Sequence, residues 1–235
     1  MLHFMPSKFF PPPTESTSDG LVTVGGDLCP ERLLDAYRHG IFPWPVDEED
    51  MMLWWSPHPR AILPLDDLYI SQRLRRTLRA GKFEVSSNQV FAEVVNGCAT
   101  GPGREGGTWL TDEMIAAYVR LHRLGHAHSV EVWHDGRLVG GTYGVAIGGL
   151  FAAESMFYRI RDASKVALAH LVAHLNERGY QLLDVQQWTP HTGRLGVVEI
   201  TRDEYLGRLS VAVELPVTFG EPATFGKRRA SSPIE

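Results

Sequence analysis

Two short apolar runs, LFAAESMF (150–157) and YQLLDVQQ (180–187), flank the amphipathic stretch DASKVALAHLVAHLNERG (162–179). Each run alternates as a strand does. The stretch between them opens on Asp162 or Ser164 as a cap and closes on Gly179, which reads as a helix. A helix of this length can serve as the crossover that lays one strand beside and parallel to another. No other feature restricts the fold so tightly, because it calls for a sheet with a helix packed on one face.

The same two runs carry charge where charge is costly. An ionised carboxylate is stable inside a protein only when it is paired or hydrogen-bonded. Strand alternation puts Ala152, Glu154 and Met156 on one face, and Leu182, Asp184 and Gln186 on one face. If the strands are neighbours, Glu154, Asp184 and Gln186 converge on one pocket beside Met156. A single strand acid often sits solvated at a strand end, but two acids and an amide rarely serve packing, so this set is the candidate catalytic group.

The rest of the chain supplies the surroundings. TDEMIAAYVRLHRLG reads as a helix capped by Thr111 and Gly125, SVEVW as a strand, HDG as a tight hairpin turn, and RLVGGTYGVAIGG as the returning strand. Together with the crossover this predicts a mixed α/β (α+β) fold with three antiparallel strands, a helix and a further strand. Earlier, PERLLDAYRHG, DDLYISQRLRRTLRAG and NQVFAEVVNGCA read as helices ending at Gly40, Gly81 and Gly97. Residues 1–20 read as an extended proline-rich arm. TGPGREGG (100–107) is the clearest loop, so a smaller domain is expected over 1–105 and a larger one over 106–235, with FGKRRASSPIE as a disordered tail.

Composition excludes several classes. The net charge of −5 means that any nucleic-acid contact must come from a local basic patch. Cys29 and Cys98 are too few for a disulfide framework or a four-cysteine zinc site. His126 and His128 share a strand face without a third ligand near in sequence, so no metal site is expected. His58 and His191, each beside a proline, read as structural. The N-terminus has no signal-peptide pattern, and no run approaches the ~18 apolar residues of a membrane span. A soluble cytoplasmic monomer is expected.

The stretches GLVTVGGDLCPERLLDAYRHGIFPWP, LWWSPHPRAIL, GTWLTDEMIAAYVRLH, AHSVEVW, LVGGTYGVAIGGLFAAESMF, DASKVALAHL, LLDVQQWTPH and EITRDEYLGRL follow one another between Gly20 and Leu209. In this order they resemble the leucyl/phenylalanyl-tRNA–protein transferases, bacterial enzymes that tag proteins for N-end-rule degradation. The resemblance implies a GNAT-like C-terminal domain, similar to acyl-CoA N-acyltransferases, joined to a smaller N-terminal one. It implies transfer of leucine or phenylalanine, and less readily methionine, from leucyl-, phenylalanyl- or methionyl-tRNA to proteins with N-terminal Arg or Lys. No metal, ATP or coenzyme is implied.

By the same resemblance Asp184 is the catalytic aspartate, Gln186 its partnering glutamine, and Glu154 the group that orients the acceptor amine or its cationic side chain. The division of labour between Glu154 and Asp184 stays open at this level. Met156, Leu168 and Leu183 match the pocket for the donor side chain. Thr142 stands where some relatives carry methionine. Trp44 matches the tryptophan that stacks on the terminal adenine, with Trp109 lining the same region, while Trp54 and Trp55 read as core. Arg73, Arg75, Arg76, Arg79 and Lys82 occur with no acid between Asp67 and Glu84. At helical spacing Arg75, Arg76 and Arg79 lie opposite Ile70, Leu74 and Leu78, an exposed basic face suited to tRNA phosphates.

Two other classes remain for comparison. A CoA-dependent N-acyltransferase would carry a glycine-bearing pyrophosphate loop at a helix start, and YRIRDASK after ESMF has no glycine. A non-catalytic tRNA-binding module would account for the arginines but leave Glu154, Asp184 and Gln186 without a purpose.

Overall fold

The structure, a computed structural model, describes residues 6–45, 51–102 and 108–225. In chain order the elements are β1 (Leu21–Val24), α1 (Pro30–Arg38), β2 (Phe42–Pro43), β3 (Leu53–Trp55), β4 (Arg60–Ile62), α2 (Gln72–Arg79), β5 (Glu84–Ser87), α3 (Phe91–Thr100) and α4 (Asp112–Arg123). There follow β6 (Ala127–His134), β7 (Arg137–Ile147), β8 (Leu150–Tyr158), α5 (Ala163–Arg178), β9 (Leu182–Gln186), α6 (Pro190–Gly193), β10 (Val198–Ile200), α7 (Arg202–Ala212) and β11 (Ala223–Phe225). The fold is α+β. A small sheet runs β1-β3-β2, and a large mixed sheet runs β10-β4-β9-β8-β7-β6-β5-β11.

The central part follows from local chemistry. Asp135 and Gly136 take φ of 50° and 70°, the positive values of a two-residue hairpin turn, and His134 pairs with Arg137 across it. β6, β7 and β8 are antiparallel neighbours, as expected. The α5 crossover brings β9 parallel to β8, pairing Leu150 with Leu182, Phe151 with Leu183 and Ala152 with Asp184. Thr111 caps α4 by accepting from Met114 N, and Gly179 closes α5 at a φ of 84°.

Several elements differ from their sequence reading. α2 starts only at Gln72, because the Ser71 side chain accepts from Leu74 N and caps it there. α3 runs past Gly97 to Thr100. Gly97 is a packing glycine: a Cβ there would lie 2.6 Å from the Phe157 ring. Asp162 makes no side-chain cap bond to α5, since its carboxylate receives Arg73 Nη2 at 2.6 Å. The proline-rich arm is docked, not free: Phe9 N donates to Asp35 at 3.2 Å and Phe10 is buried.

Helices cover both faces of the large sheet. On one face, α1, α3 and α4 pack with Trp54 of the small sheet against Tyr143, Val145, Ala152 and Phe157. On the other, α5 packs with Leu74 of α2 against Val130, Val132, Phe151 and Leu183. A third cluster sets α7 against Ile62, Leu150 and Leu182. The boundary expected at 100–107 falls mostly on residues 103–107, which lie outside the described residues, as do 226–235 of the tail. β4 and β5 share the large sheet with β6 to β9. Among the described residues, no helix is long and apolar enough to cross a membrane.

Candidate active site

Glu154 occupies a β-bulge. Ala153 pairs with Gly144 and Ser155 with Tyr143, leaving Glu154 as the extra residue of β8. A bulge inserts one residue and breaks the alternation of faces, a device frequent beside functional sites. It corrects one sequence expectation. Met156 is not on the Glu154 face: it pairs with Thr142 and packs with the α5-side cluster that holds Leu168 and Leu183. The four nominated pocket residues therefore do assemble, but on the opposite side of the sheet. Thr142 is buried and its hydroxyl donates to Ser155 O at 3.0 Å.

Glu154, Asp184 and Gln186 do converge. Gln186 Nε2 donates to Glu154 Oε1 at 3.1 Å, and Gln186 N donates to Asp184 Oδ1 at 2.9 Å. Gln186 reaches both because it leaves β9 at a φ of 58°. A non-glycine residue at positive φ carries strain, on the order of 1–3 kcal/mol, that surrounding contacts must hold in place.

Asp184 supplies one such contact and is itself fully engaged. Arg60 Nε donates to Oδ1 at 2.9 Å, Arg60 Nη2 to Oδ2 at 2.6 Å, and Tyr205 OH to Oδ2 at 2.8 Å. With Gln186 N, each carboxylate oxygen accepts two bonds, which uses its lone-pair capacity. Arg60 and Asp184 are each 1% exposed. Burial, the largest single influence, depresses the Arg60 guanidinium, but the Asp184 charge and hydrogen bonds, with Tyr205 and Glu154, together outweigh it and Arg60 stays protonated. Its planar guanidinium lies 4.5 Å from the Tyr205 ring centroid and 4.9 Å from that of Phe42, and its Nη1 donates to Gly40 O.

Glu154 is held differently. It keeps part of its surface open, and its partners are neutral: Tyr118 OH donates to Oε2 at 2.7 Å, and the Tyr37 hydroxyl lies 3.0 Å from that of Tyr118. Burial pushes its carboxyl up to about 7, against the downward pull of the Tyr118 and Tyr37 hydroxyls; the Asp184 charge adds to the rise and that of Arg60 opposes it. Burial and the Glu154 charge push both tyrosines well above their ordinary range, so they remain neutral donors. The result is one acid saturated by a cation and one carboxyl poised near neutrality with lone pairs to spare. Such a group can accept a proton from an amine.

Sequence reasoning does not nominate Tyr37, Tyr118, Arg60 or Tyr205. Arg60 carries the one available signal, a charge in the apolar run HPRAIL that obeys the same logic as Glu154.

The aromatic and basic candidates are also placed. Trp44 is 39% exposed and stacks on Trp109 with centroids 4.6 Å apart at 15°. Trp55 Nε1 donates to Trp44 O at 3.1 Å, while Trp54 is core and donates to Gly25 O. Arg75, Arg76, Arg79 and Lys82 are exposed, with Leu74 turned inward. Arg73 is exposed too but is tied to Asp162. His128 is satisfied by Asn88 and by Gly125 O. His191 is exposed, in the short α6 turn. A cavity of about 580 Å³ near the β7–β8 turn is lined by Arg38, His126, His128 and Tyr180 among others, and none of the nominated site residues lines it.

Residues 62–210 match the family described as leucyl/phenylalanyl-tRNA protein transferase, and residues 26–58 match its N-terminal domain. A leucyl/phenylalanyl-tRNA–protein transferase of Nitratidesulfovibrio vulgaris (strain DP4) is 52% identical, with 93% of this chain and 94% of that one covered. One from Syntrophotalea carbinolica is 49% identical, covering 93% and 95%. Among solved structures, a ribosomal-protein-alanine N-acetyltransferase from Brucella melitensis biovar Abortus 2308 is similar at 18% identity and a TM-score of 0.36, over 48% of this chain and 84% of that one. A GCN5-related N-acetyltransferase-like protein from Streptococcus suis is similar at 14% and 0.34, over 60% and 58%. Both structural likenesses are slight.

Proposed function

The chain belongs to the leucyl/phenylalanyl-tRNA protein transferase family, an aminoacyltransferase family acting between tRNA and proteins, and on that premise we propose that it moves leucine or phenylalanine, and less readily methionine, from aminoacyl-tRNA to an N-terminal Arg or Lys. The product is a peptide bond and a new N-terminal degradation signal.

The ester of the donor is already activated, so the protein must present an unprotonated amine to its carbonyl. An α-amino group has a pKa near ~8, and a modest bias supplies the free base. We assign proton acceptance to Glu154. The observation that carries this is the contrast between the two acids: every lone pair of Asp184 is taken, whereas Glu154 has neutral partners and a carboxyl raised to about 7. Asp184, clamped by Arg60 and Tyr205, is then a positioning residue that fixes the strained Gln186, and Gln186 orients Glu154. Holding ester and amine together supplies much of the acceleration, up to roughly 7–11 kcal/mol in the best cases.

On this reading the donor's side chain passes the β8 bulge from the Glu154 side to the α5 side, where Met156, Leu168 and Leu183 pack beside Thr142, and valyl and isoleucyl donors are then poor. Trp44 and Trp109 take the terminal adenine, and the exposed face of α2 takes tRNA phosphates. The direct test is transfer of labelled leucine from charged tRNA to an Arg-initiated peptide with no acetyl-CoA present. Transfer that required acetyl-CoA, or none to a peptide that binds, would overturn this reading.

A further inference from the structure

Two large rings face solvent, one just beyond Gln186 and one just before α2. Tyr69 is 63% exposed and Trp188 is 44% exposed. They belong to one neighbourhood. Trp188 lies against Gly193, where a Cβ would fall 2.6 Å from the indole, and Tyr69 N donates to Leu195 O at 3.0 Å. Between these anchors α6 is held by a reciprocal pair, Thr192 N to Thr189 Oγ1 at 3.1 Å and Thr189 N to Thr192 Oγ1 at 2.9 Å.

Cations gather beside the rings. Arg194 and His191 are exposed, and Lys165 stands in the first turn of α5. Burial, then the charges of Lys165 and Arg194, hold His191 below its ordinary range, which agrees with the three lying together. Lys165 follows Asp162 by three residues, and Asp162 receives Arg73 of α2 at 2.6 Å. The basic helix is thus tied through Asp162 to the start of α5, whose Lys165 shares the surroundings of His191 with Arg194, and Trp188, two residues from Gln186, lies against Gly193 of the same turn.

Exposed rings with interleaved cations suit single-stranded nucleic acid: bases stack on any ring, and phosphates take the charge, without sequence reading. An apolar partner surface would not call for the cations. We propose that Trp188 and Tyr69, with Lys165, His191 and Arg194, bind the unpaired nucleotides that precede the donor's terminal adenosine. This rests on the tRNA-dependent reading above.

The test compares leucyl-adenosine with a leucyl oligoribonucleotide carrying three further unpaired nucleotides. Wild-type protein should use the longer donor at lower KM. Trp188→Ala should raise that KM roughly five- to a hundredfold, the range expected from loss of one stacked base, with Trp188→Phe recovering most of it. KM for leucyl-adenosine and for the acceptor peptide should not move. Equal losses on both donors, a change confined to the peptide, or no change would each overturn the site. Quenching of indole fluorescence by the uncharged oligonucleotide beyond that given by adenosine alone, with this excess lost in Trp188→Phe, is read without catalysis. That excess in a protein that transfers nothing would uphold the site while the transfer reading fails; its absence would overturn the site alone.

Discussion

Glu154 is where pH should act most directly. In its proposed role as proton acceptor it must be ionised, so kcat/KM should rise with pH through about 7, and Glu154→Gln should remove that limb and lower the rate by ~10²–10⁴. Stability moves the opposite way. The folded carboxyl titrates above its unfolded value, so the folded chain holds the extra proton between the ordinary carboxylate range and about 7, and stability falls as pH climbs through that window. Urea midpoints at pH 5 and pH 8 should therefore converge in Glu154→Gln. Asp184 behaves differently. Asp184→Ala leaves the Arg60 guanidinium buried and unpaired, which should cost ~3–5 kcal/mol as well as activity. The double change Asp184→Leu with Arg60→Met should recover much of the denaturation midpoint and none of the transfer. Recovery of transfer as well would mean that Gln186 needs no anchor.

At the level of elements, α3 carries the sharpest packing test. Gly→Ala inside a helix ordinarily gains ~0.5–1 kcal/mol, but at Gly97 the added methyl meets the Phe157 ring at 2.6 Å. Gly97→Ala should instead destabilise by ~1–3 kcal/mol in a thermal melt. The same residue shows why some boundaries cannot be placed from sequence: glycine closes a helix where it takes a left-handed φ, as Gly40 does at 74° after α1, and Gly97 does not. From α4 to β9 the elements are legible, because caps, an Asp-Gly turn and a helix of crossover length act through neighbours in sequence. β4, β10 and β11, of three residues each, exist only through partners far along the chain and leave no local signal. Within the site, alternation and the crossover are enough to bring Glu154, Asp184 and Gln186 together. The bulge is not legible, because an inserted residue looks like any other until its partner strand is known, and so strict alternation puts Met156 on the wrong face.

Across the whole molecule, the proposed function divides the work between a surface for the body of the donor and a site for its end. Charge reversal of Arg75, Arg76 and Arg79 together should weaken use of full-length aminoacyl-tRNA strongly and leave leucyl-adenosine nearly unaffected. The slope of log affinity against log salt should flatten by roughly one unit for each phosphate that is no longer neutralised. Equal losses on both donors would place these arginines in support of folding. The buried clamp has a consequence for biosynthesis. Arg60 lies 124 residues before Asp184 and 145 before Tyr205. At ~5–20 residues per second, the ribosome releases Arg60 well before either of its partners exists. A nascent chain can expose its basic helix while Gln186 still has no anchor. If transfer needs the clamp, as proposed, it switches on only when α7 clears the exit tunnel, and a chain stalled before Tyr205 should be inert.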